Sequence, residues 1–374
     1  MQKISVVTRP KAALFLIVLI LAVSGPAFGS FNIGVYYYPG WSPETGVYKP
    51  DGWPPIKNYP EREPLLGWYN ENDVDTVNQH LTWMADYGIG FVAFCWYWYK
   101  PHAPEPETAV RAYLKAPAKS RIPYTLLWAN HFPYPTTLAE WDNIVKFWLD
   151  EHMKNPEYLR IDGKPALFVF STDHLRDQAW KIIYGTGTPT HDENINATKA
   201  LLDRARDAAN KAGLNGIYFV LCTLASMYWV NFAEEAGFDA LSAYNYRLGM
   251  EGDERGTVTP YSHSFTELDA YYRMHWNWIL KNSRMPYFVP MISGWDKRPW
   301  GGSSDPLHDN SSSTPQEFET HLRAGYDTII RHATRTKGIG ILYAWNEYGE
   351  GGIIEPTKRH GLEYLRLVQK VFPK

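Results

Sequence analysis

The sequence predicts a single (β/α)8 barrel of the TIM type with long βα loops. Three observations predict it. After residue 30, eight apolar strand-like runs alternate strictly with longer segments of helical period. The runs are continuously apolar rather than alternating in polarity, as expected of parallel strands covered on both faces. The turn after the first run reads Tyr38-Pro39-Gly40-Trp41-Ser42, not the glycine-rich turn a doubly wound open sheet places there.

Ahead of the first strand, Lys3, Arg9 and Lys11 precede an apolar run from Ala12 to Val23. Ser24-Gly25-Pro26 and the small-x-small pattern Ala27-Phe28-Gly29 follow. That order of charge, short apolar core and small residues is a secretory signal pattern, expected to be cleaved near Gly29–Ser30. The run is shorter than the ~20 apolar residues of a membrane span, so a retained anchor is the lesser reading. The expectation is a signal peptide over 1–29, a catalytic barrel over 30–374, and a secreted or periplasmic product with no stable membrane insertion.

The strands are expected at 32–38, 90–97, 123–129, 165–171, 216–222, 239–245, 286–293 and 338–345. Helices are expected at 72–87, 105–117, 137–153, 194–212, 226–236, 265–281, 315–334 and 360–372. Leu138, Trp141, Val145 and Trp148 give the third helix one apolar stripe. Asp73 and Thr314-Pro315 read as helix starts, and Gly88, Gly213 and Gly237 as stops. Four connections, 39–71, 172–193, 246–264 and 294–314, are long enough to be functional loops. Each follows a strand and so belongs to the C-terminal face, where barrel active sites lie. Gly301-Gly302-Ser303-Ser304 and Ser311-Ser312-Ser313 read as mobile loop, a candidate lid.

Composition narrows the function. A net charge of −3 without a dense basic stretch argues against nucleic acid. The 16 Trp and 26 Tyr suit stacking on sugar rings, although part of that excess must be core. Cys95 and Cys222 each sit in an apolar run, where free buried thiols are common; a disulfide between them is left open. No close Cys-His spacing suggests zinc, and no cofactor is expected.

The sharpest segment is the last strand and its exit, Tyr343-Ala344-Trp345-Asn346-Glu347-Tyr348-Gly349-Glu350-Gly351-Gly352. Two carboxylates there meet the need of glycoside cleavage for one group to protonate the leaving oxygen and another to act opposite it. Their spacing leaves the stereochemistry open, because an extended and a helical connection bracket both carboxyl separations. Tyr38, Trp41, Trp98, Asn130, Tyr244, Tyr246 and Trp295 fall at expected strand ends, as sugar contacts or rim packing. Trp345, Asn346 and Glu355 complete the candidate substrate-binding set, and His131 reads as polar wall rather than proton carrier. Asp296 and Arg298 read as a loop salt bridge.

Trp345-Asn346-Glu347-x-x-Glu350-Gly351 with Glu355-Pro356 resembles the signature of the glycoside hydrolase family 99-like group and its WbsX branch. Gly34-x-Tyr36-Tyr37-Tyr38-Pro39-x-Trp41, Trp128-Ala129-Asn130 and Tyr158-x-Arg160-Ile161-Asp162-Gly163-Lys164-Pro165 resemble earlier motifs of that group, so the likeness runs from about residue 31 to 372. It implies retaining attack on α-mannoside-type bonds through a 1,2-anhydro sugar. The position of Glu347 takes the proton of the 2-hydroxyl, and that of Glu350 protonates the departing oxygen. Glu350 should then be protonated at rest and Glu347 ionised, the latter supported by Asn346 or backbone amides. Two departures concern the substrate mouth: His131 stands where the group usually has an acid, and Trp96-Tyr97-Trp98-Tyr99 where it commonly has a histidine. The WbsX branch also carries a glycosyltransferase label, which keeps a surface-polysaccharide transferase as the alternative, beside a noncatalytic carbohydrate-binding barrel.

Overall fold

The computed structural model describes residues 31–42, 52–99, 107–249 and 260–373. The signal pattern at 1–29 and parts of the loops 39–71 and 246–264 lie outside them. Eight strands form the barrel: β1 (Asn32–Tyr37), β2 (Phe91–Trp96), β3 (Tyr124–Trp128), β4 (Lys164–Val169), β5 (Tyr218–Cys222), β6 (Ala240–Ser242), β7 (Val289–Ile292) and β8 (Ile339–Tyr343). Their residues are almost all buried, as continuous apolar runs require. Neighbours pair in parallel in chain order from β1 to β6, and β8 joins β1 to β7. The remaining seam closes through a parallel bridge between Leu241 and Tyr287, where Leu241 N–H donates to Pro286 O and Phe288 N–H to Leu241 O, both at 2.9 Å. The sheet is therefore a closed barrel, its interior filled by rings such as Tyr36, Phe168 and Phe288.

The outer helices are α1 (Val74–Asp86), α2 (Thr108–Lys115), α3 (Leu138–Phe147), α4 (Thr172–Tyr184), α5 (His191–Lys211), α6 (Met227–Glu235), α7 (Phe265–Asn282), α8 (Pro315–Arg331) and α9 (Glu363–Val371). Asp73 caps α1 by accepting from Asp75 and Thr76 N–H. Thr314 and Glu317 form a reciprocal capping box on α8, with Pro315 in its first turn. Gly88, Gly213 and Gly237 follow α1, α5 and α6 at positive φ. The third helix ends in a π-turn, Trp148–Met153; Trp141, Val145 and Trp148 are buried, while Leu138 at its first position is exposed.

Two expectations need correction. The segment 172–193 is not a loop, because α4 fills most of it. Ser171 caps α4, and Leu175, Ala179 and Trp180 bury one face. The serines at 303, 311 and 313 are tied into a loop wall rather than hanging as a lid. Ser303 bonds Asp309 and the Trp295 indole, Ser311 pairs with Trp295 in a two-residue strand, and Tyr364 donates to Ser313 O at 2.7 Å.

Candidate active site

The exit of β8 doubles back on itself. Asn346–Glu347 pairs antiparallel with Gly352–Ile353, and Gly351 N–H closes the turn on Glu347 O at 2.8 Å. Glu347 therefore sits on the strand and Glu350 in the turn of one small hairpin. Gly351 lies at φ +86°, and a side chain there would strike Asp296 N at 2.6 Å. At Gly349 a Cβ would meet the Trp300 ring at 2.1 Å. Both glycines let neighbouring loops close directly over the turn.

Three βα loops are clamped together here by Arg62, which is buried. Its guanidinium forms an ion pair with Asp296 and donates to the carbonyls of Asp296 (3.1 Å) and Tyr348 (2.6 Å). Asp296 N–H in turn donates to Glu350 O at 2.7 Å. Asp296 also takes two bonds from Arg298, so the expected loop salt bridge joins exposed Arg298 to a buried Asp296–Arg62 pair. Burial alone would push the Asp296 carboxyl up, but Arg298 and Arg62 outweigh it and hold it below the usual carboxylate range.

Glu347 and Glu350 face one cavity of about 510 Å³ at the barrel mouth. Glu347 is only 3% exposed, and Tyr244 donates its hydroxyl to one carboxylate oxygen while the other has no hydrogen-bond partner among the described residues. Tyr343 donates to Glu350 at 2.5 Å. Burial raises both carboxyl pKa values. The Glu350 charge pushes Glu347 further up, and Tyr244 restrains it. The rise of Glu350 is held back by Tyr343 and by the positive charges of Arg247 and Lys297. The titration of each carboxyl therefore depends on the charge of the other. Asn346 does not support Glu347 as expected, because it is occupied elsewhere: its amide accepts from Tyr38 N–H (2.8 Å) and donates to Tyr38 O (3.0 Å).

Of the candidate sugar contacts, Tyr38, Tyr244 and Trp295 line this cavity. The other seven do not. Trp41 is fully buried, stacked on Trp53 at 4.4 Å with its indole N–H on Asn346 O at 2.9 Å. Trp98 packs outward against Trp96 and Phe147. Asn130 spends both ends of its amide on the Ser171 backbone, fastening β3 to β4. Tyr246 stacks on His275 at 4.0 Å and meets Tyr287. Trp345 and Asn346 are buried behind the hairpin. Glu355 takes the Tyr69 hydroxyl at 2.7 Å and lies 3.1 Å from His80, which meets Tyr37. This network backs the cavity without entering it.

The remaining walls include Tyr97, Phe170, Trp300, Arg247, Lys297 and His131. Burial and the His174 charge lower the His131 pKa, so it stands as a neutral wall. Of these walls, only His131 and the run that holds Tyr97 were placed at the mouth from sequence. The signal for several of the others is strand parity. Cys95 and Tyr97 face in while Trp96 and Trp98 face out, and Leu127, Ala129 and His131 face in while Trp128 and Asn130 face out. Cys95 and Cys222 are both free, the former beside Tyr244 and the latter beside Tyr36, each at 3.6 Å. Among the described residues no cluster of side chains is arranged to hold a metal ion, and no helix is long and apolar enough to cross a membrane.

A family model described as "Glycosyltransferase WbsX" matches residues 57–185 and 190–368. Two proteins called "Uncharacterized protein WxcX" are similar over 80% of this chain. The one from Xanthomonas campestris pv. campestris strain ATCC 33913 is 21% identical over 323 residues, and that from strain B100 is 20% identical over 321. The match spans 41% of each relative, so this chain corresponds to less than half of their length. Among solved structures, the GH99 endo-alpha-mannosidase from Bacteroides thetaiotaomicron in complex with bis-tris-propane superposes with a TM-score of 0.61 at 14% identity, covering 92% of this chain and 96% of that one. A glycoside hydrolase-like protein gives 0.63 at 14% identity, covering 92% and 94%. At such identities the likeness is one of fold.

Proposed function

The chain belongs to the WbsX glycosyltransferase family, and from the chemistry of its cavity we propose that it cleaves glycosidic bonds, of the α-mannoside type, with Glu347 and Glu350. The observation that carries the reading is a pair of carboxyls with raised pKa values facing one sugar-sized hollow, each held by a tyrosine hydroxyl. Glu347 takes the proton of the sugar's 2-hydroxyl as O2 attacks C1. The C1–O bond to the leaving group breaks, and Glu350 gives that oxygen its proton. Glu350 then takes a proton from water attacking C1, the C1–O2 bond opens, and Glu347 returns its proton to O2. Two inversions give net retention. The unpartnered oxygen of Glu347 is the group a sugar hydroxyl would satisfy.

The test is release of reducing ends from α-mannan oligosaccharides across a pH series. A bell-shaped profile is expected, with Glu347→Gln and Glu350→Gln each at least ~100-fold slower. Near-normal rates in a folded variant remove that residue from its role. The family description and the cations Arg247 and Lys297, suited to phosphate, favour a second reading as a transferase. A transferase would be silent on glycan alone and active with a nucleotide-sugar donor. Export through a signal peptide at residues 1–29 is part of the proposal, supported by the charge and apolar pattern there. Mass spectrometry of the mature N-terminus tests it, and an intact Met1 end on protein outside the cytoplasm would refute cleavage.

A further inference from the structure

We propose that the glycan this cavity takes is anionic, with a carboxylate or phosphate group held between Arg247 and Lys297; this rests on the carbohydrate reading above. Both side chains line the cavity, and they arrive on different loops, those following β6 and β7. The neighbouring cations Arg62 and Arg298 both pair with Asp296, which partly offsets their charge. Arg247 and Lys297 make no ion pair among the described residues.

Geometry favours an oxyanion. The Arg247 guanidinium stands 5.1 Å from the centre of the Trp295 ring, which presents a flat fork of N–H donors at the cavity edge. Arg247 also borders a second recess lined by Ser171, Thr223 and Trp229. Arg247 thus lines both hollows, and in the second the acid is Asp173.

Charge counting gives the same answer. Arg247 and Lys297 set two positive charges beside the two carboxyls, and the burial that favours the protonated carboxyls weakens the negative charge facing them. A neutral glycan would displace water from the excess cation and offer no charge in return. An anionic glycan balances it. The chemistry gains as well, because both cations oppose protonation of Glu350. A ligand anion beside them removes that opposition and lets Glu350 hold the proton the leaving oxygen needs.

Calorimetric titration of the full chain with three probes tests this: an α-mannotriose, the same trisaccharide with one C6 oxidised to a carboxylate, and its 6-phosphate. At low salt at least one charged probe should bind about tenfold tighter than the neutral one. The advantage should shrink as salt rises, and fall below about threefold in Arg247→Gln and in Lys297→Gln. The larger of the two advantages identifies the group. Equal affinity for all three probes, or a preference that survives both substitutions, overturns the proposal. Should a variant fail to fold, the salt dependence of the unaltered protein decides. Turnover is not needed for this comparison. Release of reducing ends from none of the probes would sink the hydrolase reading alone, and hydrolysis without a charge preference would sink this one alone.

Discussion

Arg62→Met should cost the fold about 3 kcal/mol and slow the chemistry more than it weakens binding. Removing one partner of a buried ion pair typically costs ~3–5 kcal/mol. The lower end applies because Arg298 still holds Asp296 after the change. The carbonyls of Tyr348 and Asp296 also lose their donor. For a chain of 374 residues, ~2.1 cal/mol/K per residue gives an unfolding entropy of ~0.8 kcal/mol/K. The expected fall in Tm is then about 4 °C at neutral pH. The difference should close in acid: Asp296 has a depressed pKa in the folded state, so its contribution is present above ~pH 3.9 and lost as pH falls through the folded value. Because Asp296 N–H positions the Glu350 carbonyl, kcat on an α-mannan oligosaccharide should drop on the order of 10–100-fold with KM nearly constant. Calorimetric melting and steady-state rates well below both Tm values read the two effects. An unchanged Tm would refute the clamp, and a lowered Tm with unchanged kcat would show that it does not position Glu350.

Glu347→Gln and Glu350→Gln should each raise Tm at pH 7, by roughly 1–3 °C for the ~0.5–2 kcal/mol usual when a strained functional group is relieved. The sign follows from their raised folded pKa values: the folded state binds extra protons, so stability is lost as pH rises, and the gain of the Gln variants should vanish below ~pH 4.3. A loss of stability in both variants at pH 7 would contradict the buried-charge account. Trp41→Ala should behave as a core lesion, costing ~3–5 kcal/mol in denaturant unfolding, because its ring is fully buried against Trp53; a loss below about 1 kcal/mol would return Trp41 to the rim. Lys297→Gln should move the alkaline limb of the rate profile on a neutral glycan upward, since one of the charges opposing protonation of Glu350 is gone. An unmoved or lowered limb would remove Lys297 from that role.

The barrel was legible because its strands are buried on both faces, so each is a continuous apolar run that no surface element imitates. Asp73 and Thr314 were legible because a cap is a contact within three residues. The helix α4 was hidden by the polar residues of its outer face and by the glycines that follow it. Glu347 and Glu350 stood out because they leave an apolar strand at the mouth of a barrel. Trp41, Trp98 and Tyr246 were harder, since an amphipathic ring at a strand end can turn either way. For Trp41 the deciding contacts come from Trp53 and from Tyr348, far along the chain. Pleat parity would have separated Tyr97 from Trp98. Nothing local marks Arg247 and Lys297, whose meeting depends on two loops docking side by side.

The hairpin that bears both carboxylates occupies only the residues from Asn346 to Ile353. On the proposed reading, proton transfer is encoded in one short stretch of gene, whereas the loops that would greet the ligand are scattered through the reading frame. Such a division would let the accepted polymer change, by exchange of the connections after β6 and β7, without disturbing the carboxyl pair.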